Sequence, residues 1–315
     1  MAEPVILPPP PPPHYTIFRG PNGIRAGWRV LLFLLFVVGI VLTISVLIGL
    51  GMRFRYGSAA KQMAVDMKMV TPFGLSVTEG MFFFVTAVSA WIMSLIERRR
   101  WGQYGLPARH AFRQDFWIGL VIGFLAITAA LFGIFLLHGF HLTGIATHSA
   151  ELLKAIVAWS ITFLLVGLAE EFSFRGYLQY TLTTGIGFWP TAILLSVLFG
   201  AAHANNPGES KAGLASVVIF GLLFCFILQR RGNLWWAVGF HAGWDWGQTF
   251  FYGVADSGIP PYHNFFNSTF TGPQWLTGGT VGPEASIFTP IVLALVAIVF
   301  SRIYRSNPSQ TTNAA

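Results

Sequence analysis

Between Val30 and Met52 the sequence runs without a single charged side chain. That is long enough to cross the hydrocarbon core of a bilayer, which takes about 20 helical residues. Seven further apolar stretches follow, and the predicted spans fall near residues 28–52, 74–96, 117–140, 152–182, 188–206, 211–230, 234–251 and 286–304. The predicted fold class is therefore all-α, a polytopic helical membrane protein with about eight transmembrane helices. Composition agrees, because 54% of residues are hydrophobic and only 10% charged, against roughly 25% charged in a soluble domain. A cytosolic enzyme, a secreted disulfide scaffold and a nucleic-acid binder are excluded together. The expected surroundings are membrane lipids.

The net charge of +7 is spread between apolar runs and forms no single basic patch, so topology explains it better than a polyanionic partner. With the amino terminus cytoplasmic, 13 of the 19 Lys and Arg residues fall on inner loops and tails. The positive-inside rule thus predicts an integral protein of the cell (inner) membrane with both termini cytoplasmic. The expected organisation is a Pro-rich tail over 1–27, a helical membrane domain over 28–305 and a polar tail over 306–315. Pro8 to Pro13 predicts an extended polyproline spacer and breaks the apolar run a cleavable signal peptide needs. Residues 252–285, with only Asp256 and Glu284 charged, are expected to lie as an outer loop against the headgroups. Cys225 stands alone and reads as a small apolar side chain. No inverted halves are visible, which gives transport no support.

Ionisable residues inside the spans concentrate in the second half of the chain: Glu170, Glu171, Arg175, His203, His241 and Asp245. Each costs about 2.5–3.5 kcal/mol at membrane depth, so such groups are retained where they function or satisfy one another. Glu171 precedes Arg175 by four residues, the favourable order for an ion pair on one helix face. Glu170 is turned away and stays free. Phe199 stands one turn before His203, and His241 one turn before Asp245. Counting 1.5 Å per residue from the inner ends puts Glu170 roughly 18 Å deep, His203 roughly 22 Å and the His241/Asp245 pair roughly 10 to 17 Å. The overlap depends on the fourth span continuing through Gly176. A carboxylate, two imidazoles and a second carboxyl group in a dry cavity are the equipment for hydrolysis: one activates water, another supports an oxyanion. Two His and one or two carboxylates also form a common zinc set, here Glu170, His203, His241 and Asp245. The His-Glu-x-x-His helix of many zinc proteases is absent, and zinc and metal-free mechanisms stand level. Glu79, without a matched partner, reads as structural.

Glu170-Glu171-Phe-Ser-Phe-Arg175, then Phe199-Gly-Ala-Ala-His203, then His241-Ala-Gly-Trp-Asp245 together resemble the CPBP, or ABI, family of intramembrane proteases, which includes the CaaX-processing endopeptidase of eukaryotes. The resemblance covers about residues 150–250. It implies an intramembrane endopeptidase core acting on membrane-delivered peptides or proteins. Glu170 and His203 would activate water, His241 and residue 245 would support the oxyanion, and Glu171 and Arg175 would be structural or auxiliary. Asp245 stands where eukaryotic members typically carry Asn: it must be protonated to donate to an oxyanion, whereas ionised it would favour a metal or an imidazolium at His241. The rival expectation is a non-catalytic scaffold or bacteriocin-immunity protein of the same fold. The sequence names neither substrate nor oligomeric state.

Overall fold

The computed structural model describes residues 16–20, 23–57, 71–147 and 149–304. The Pro8–Pro13 spacer and the C-terminal tail lie outside them. After a two-residue hairpin, β1 (Arg19–Gly20) and β2 (Gly23–Ile24), come α1 (Ala26–Tyr56), α2 (Pro72–Ile96) and α3 (Gln114–Leu136). Strand β3 (Phe140–Ile145) then leads to α4 (Ser149–Arg175), α5 (Tyr177–Ile186), α6 (Phe188–Ala202), α7 (Lys211–Arg231) and α8 (Trp235–Asp245). The chain continues from α8 as a π-helical stretch, Trp246–Phe251, then β4 (Phe266–Phe270) and α9 (Phe288–Ile303).

Six of these segments are long and apolar enough to span a bilayer: α1, α2, α3, α4 with α5, α6 with its following turn, and α7. Helix α9 is apolar but shorter. The protein is an integral membrane protein of helical, polytopic build, and its outer surface shows why. Leu34, Leu42, Leu47 and Leu50 of α1 are 43–63% exposed, a face that water would penalise and lipid accepts.

Three local departures from the expected spans have physical causes. The third helix stops at Leu136 because His138 takes a left-handed backbone (φ 57°), and the chain beyond pairs as β3 with β4, Phe140 opposite Phe270. The fourth helix breaks at Gly176, where a Cβ would lie 2.3 Å from the Phe172 carbonyl oxygen, and resumes as α5. The fifth helix ends at Ala202, so His203 opens a single 3-10 turn, His203–Asn205, rather than lying inside the span.

The closest helix packing joins α3 to α8. Gly119 and Gly123 on α3 face Gly239 and Gly243 on α8 so tightly that a Cβ on any of the four would sit 2.0–2.1 Å from a carbonyl oxygen of the other helix. Small residues four apart let two backbones meet in this way, and dispersion between them replaces the hydrophobic drive that lipid does not supply. His241 stands between Gly239 and Gly243, so the helix that carries it is seated backbone to backbone.

The bundle has two chemically different ends. At one, Arg29 is bidentate to Glu97 (2.9 and 2.5 Å), Arg231 and Asn233 hold Asp115, and Arg230 donates to the Tyr304 carbonyl. These contacts tie α1 to α2, α7 to α3 and α7 to α9. At the other, the β3–β4 sheet and the chain from 252 to 287 fold across the helix ends, held by Trp159 Nε1 donating to the Tyr262 carbonyl and Thr280 to that of Gly208. This long connection does not lie flat against the headgroups. Val254, Leu276, Val281 and Ala285 are buried, and it roofs the bundle.

Candidate active site

Glu170 lies on α4, six residues before the break at Gly176, and its side chain faces a cavity of about 290 Å³. Its carboxylate meets both imidazoles. Oε1 is 3.9 Å from His203 Nε2, and Oε2 is 3.5 Å from His241 Nε2. Asp245 Oδ2 is also 3.5 Å from His241 Nε2. The structure therefore brings together all four residues singled out for water activation and oxyanion support, from α4, the turn after α6, and α8.

Each ring is fixed by its other nitrogen. His203 Nδ1 lies 2.9 Å from the Phe199 carbonyl, and His241 Nδ1 3.0 Å from Glu171 Oε1. With Nδ1–H donated in each case, both Nε2 atoms point to Glu170, and the partner of Nδ1 sets the tautomer. Glu171 thus does more than pair with Arg175. Its Oε1 also receives Arg175 Nη1 at 3.4 Å, so one buried carboxylate serves both guanidinium and imidazole.

Arg175 is wholly inside the protein, 1% exposed. Its guanidinium carbon lies 4.1 Å from the centroid of Phe199, within cation–π range. Phe199 in turn meets the His203 ring edge to face at 4.7 Å. Gly221 on α7 makes the room, since a Cβ there would lie 2.5 Å from Arg175 Nη2. The spacings Glu-x-x-x-Arg and Phe-x-x-x-His are one stacked column. Glu171 Oε2 and Arg175 Nε and Nη2 make no hydrogen bond among the described residues, so the pair is only partly satisfied and depends on its ring contacts.

Sequence reasoning missed three further carboxylic acids in the chamber wall: Glu79 from α2, and Asp256 and Glu284 from the roof. Glu79 is a lone acid inside an apolar helix, and its intramembrane position was the available signal. Asp256 accepts from Thr249 Oγ1, and Glu284 Oε2 takes both the backbone N–H and the hydroxyl of Ser257. Burial raises the Glu284 carboxyl to about 8, helped by the neighbouring Asp256, and raises Asp256 well above the usual carboxylate range. Apolar walls come from Leu75, Phe163, Val166 and Phe220 among others.

Residues 152–247, α4 through α8, match the family model described as type II CAAX prenyl endopeptidase Rce1-like. Over these 96 of its 315 residues the chain is similar to that family. No curated protein matches the chain. At family level the match supports a CAAX-protease-like intramembrane endopeptidase, whose setting is lipid and whose substrate is a peptide or protein. Every residue of the acid–imidazole set falls inside the Rce1-like segment, whereas Glu79, Asp256 and Glu284 fall outside it.

Engagement of both Nδ1 atoms leaves each Nε2 facing Glu170, an orientation that a metal-ligating imidazole also shows, and among the described residues no group of three or more His, Cys, Asp or Glu side chains is close enough together to hold a metal ion.

Proposed function

We propose that the protein is an endopeptidase that cleaves peptide bonds of membrane-delivered segments inside this chamber, with Glu170 as general base. One observation carries the reading: a single carboxylate faces the Nε2 atoms of two imidazoles at 3.9 and 3.5 Å within a mostly apolar cavity. At 3.9 Å the Glu170–His203 pair is too long for a direct hydrogen bond and suits a shared water instead. That water donates one hydrogen to Glu170 and the other to the bare Nε2 of His203.

Glu170 takes the proton as the water oxygen attacks the scissile carbonyl carbon. The carbonyl oxygen becomes an oxyanion facing His241. Because Nδ1–H of His241 is committed to Glu171, an Nε2–H donor requires the imidazolium form, with ionised Asp245 and Glu171 as its counter-charges. Collapse of the tetrahedral centre breaks the C–N bond, and Glu170 returns its proton to the leaving nitrogen. Atoms balance, with one water consumed and an acid and an amine released. Glu171 and Arg175 act as positioning residues. Both termini face the cytoplasm in this reading, following the arginine distribution.

Mass spectrometry of membrane peptides from cells making the native protein and the Glu170→Gln variant tests the proposal. The expected result is a set of new termini in the native sample and none in the variant. Identical peptide sets would refute catalysis.

A further inference from the structure

The chamber is not placed symmetrically between the two ends of the bundle. Besides residues on the helices themselves, its wall includes Asn206 from the α6–α7 connection and Asp256, Ser257, Ile259 and Glu284 from the α8–α9 connection. None of its lining comes from the connections at the opposite end, residues 97–113, Gly187 and 232–234. The mouth therefore belongs to the roofed end.

Basic residues sort the other way. Arg98, Arg99, Arg100, Arg109, Arg113, Arg230, Arg231 and Arg302 lie at the end away from the mouth, whereas the mouth end holds Arg53, Arg55, Lys154 and Lys211 among the described residues. Short loops dense in Lys and Arg stay on the cytoplasmic side. The roof adds Asp256 and Glu284 and no Lys or Arg between 252 and 287.

We infer that the catalytic chamber opens to the extracytoplasmic face, and that its substrates are membrane-anchored segments of exported proteins rather than cytosolic proteins carrying a prenylated tail. This rests on the endopeptidase reading for the word substrate, but the direction of the mouth does not. A cavity of about 290 Å³ is at the lower limit of ligand-sized cavities, so it takes a short extended stretch and not a folded domain. The apolar walls suit a stretch that has left the bilayer close to its outer surface.

Two measurements test this separately. In a Cys225→Ser background, Pro260→Cys at the mouth end and Ala108→Cys at the arginine end report sidedness with a membrane-impermeant maleimide on intact cells. Pro260→Cys is expected to label at once and Ala108→Cys only after permeabilisation. The opposite pattern overturns the inference whatever the enzyme does. In the second measurement, a cleavage segment found by peptide mass spectrometry is placed at either the outer or the cytoplasmic end of a single-span reporter. Glu170-dependent cutting of the outer reporter alone supports the inference, and cutting of the cytoplasmic one overturns it. If neither is cut while Pro260→Cys labels from outside, the endopeptidase reading fails and the direction of the mouth stands.

Discussion

Replacing Gly243 by Ala tests whether the seat of α8 sets the geometry of the site. The added Cβ would lie 2.1 Å from the Leu120 carbonyl oxygen, where Cβ contacts essentially never fall below 3.0 Å. Backbone cannot swing aside as a side chain can, so α3 and α8 must part by about 1 Å, a misplacement that can cost ~100-fold in rate. That shift moves His241, two residues away, off the Glu170 carboxylate it meets at 3.5 Å. The expected loss lies in kcat, because the chamber walls that bind substrate come mostly from other helices. Purified native and variant proteins in lipid nanodiscs, turning over the same peptide, give kcat and KM, while thermal unfolding confirms that the bundle is formed. Gly39→Ala is the control, since a Cβ there meets nothing within 4 Å. A folded Gly243→Ala protein with native kcat would refute the claim that backbone contact between α3 and α8 aligns the imidazole.

Glu170→Gln keeps the shape and removes the base, and should lower turnover by ~10²–10⁴-fold without moving the unfolding temperature; an unchanged rate in a peptide assay would count against the mechanism. Glu171→Gln strips Arg175 of its carboxylate and loosens His241, so it should cost about 3–5 kcal/mol of stability, the usual result of breaking a buried pair. Adding Arg175→Met to Glu171→Gln should recover much of that stability but not the activity, and recovery of both would make the pair irrelevant to positioning. Glu284 titrates near 8 in the fold and near 4.5 as a free carboxyl group. Between those values Glu284 holds its proton in the folded state and not in the unfolded one, so its contribution to stability is fully present below about 4.5 and is lost as pH rises toward about 8. Unfolding temperatures across that window should decline for the native protein and decline less steeply in Glu284→Gln, where Asp256 still titrates above its free value.

The apolar runs and the three spaced motifs were legible because each is local. A helix period decides which residues share a face, and Glu171 with Arg175, Phe199 with His203 and His241 with Asp245 all lie four apart. What was not legible is contact between elements distant in sequence. Nothing about residue 171 shows that it will receive His241 Nδ1, because that bond forms only once α4 and α8 are side by side. Gly119, Gly123, Gly239 and Gly243 look like ordinary membrane glycines until their partners are known. Asp256 and Glu284 sat in a loop whose polar, aromatic composition suits a surface, and only its fold over the helices buries them. The break at Gly176 removes the continuity on which the depth count rested, and the meeting of Glu170 with His203 at 3.9 Å is again a contact between separate elements that counting along one helix cannot show.

The roof lies beyond the last residue of the matched segment, and this separates two properties that evolution can alter independently. The acid–imidazole set is carried by residues 170–245, whereas Asp256, Ser257, Ile259 and Glu284 line the same chamber from beyond the matched segment. Transplanting the segment alone would deliver a reactive centre without its doorway. Exchanging the doorway alone is a route to altered selectivity with the chemistry left intact.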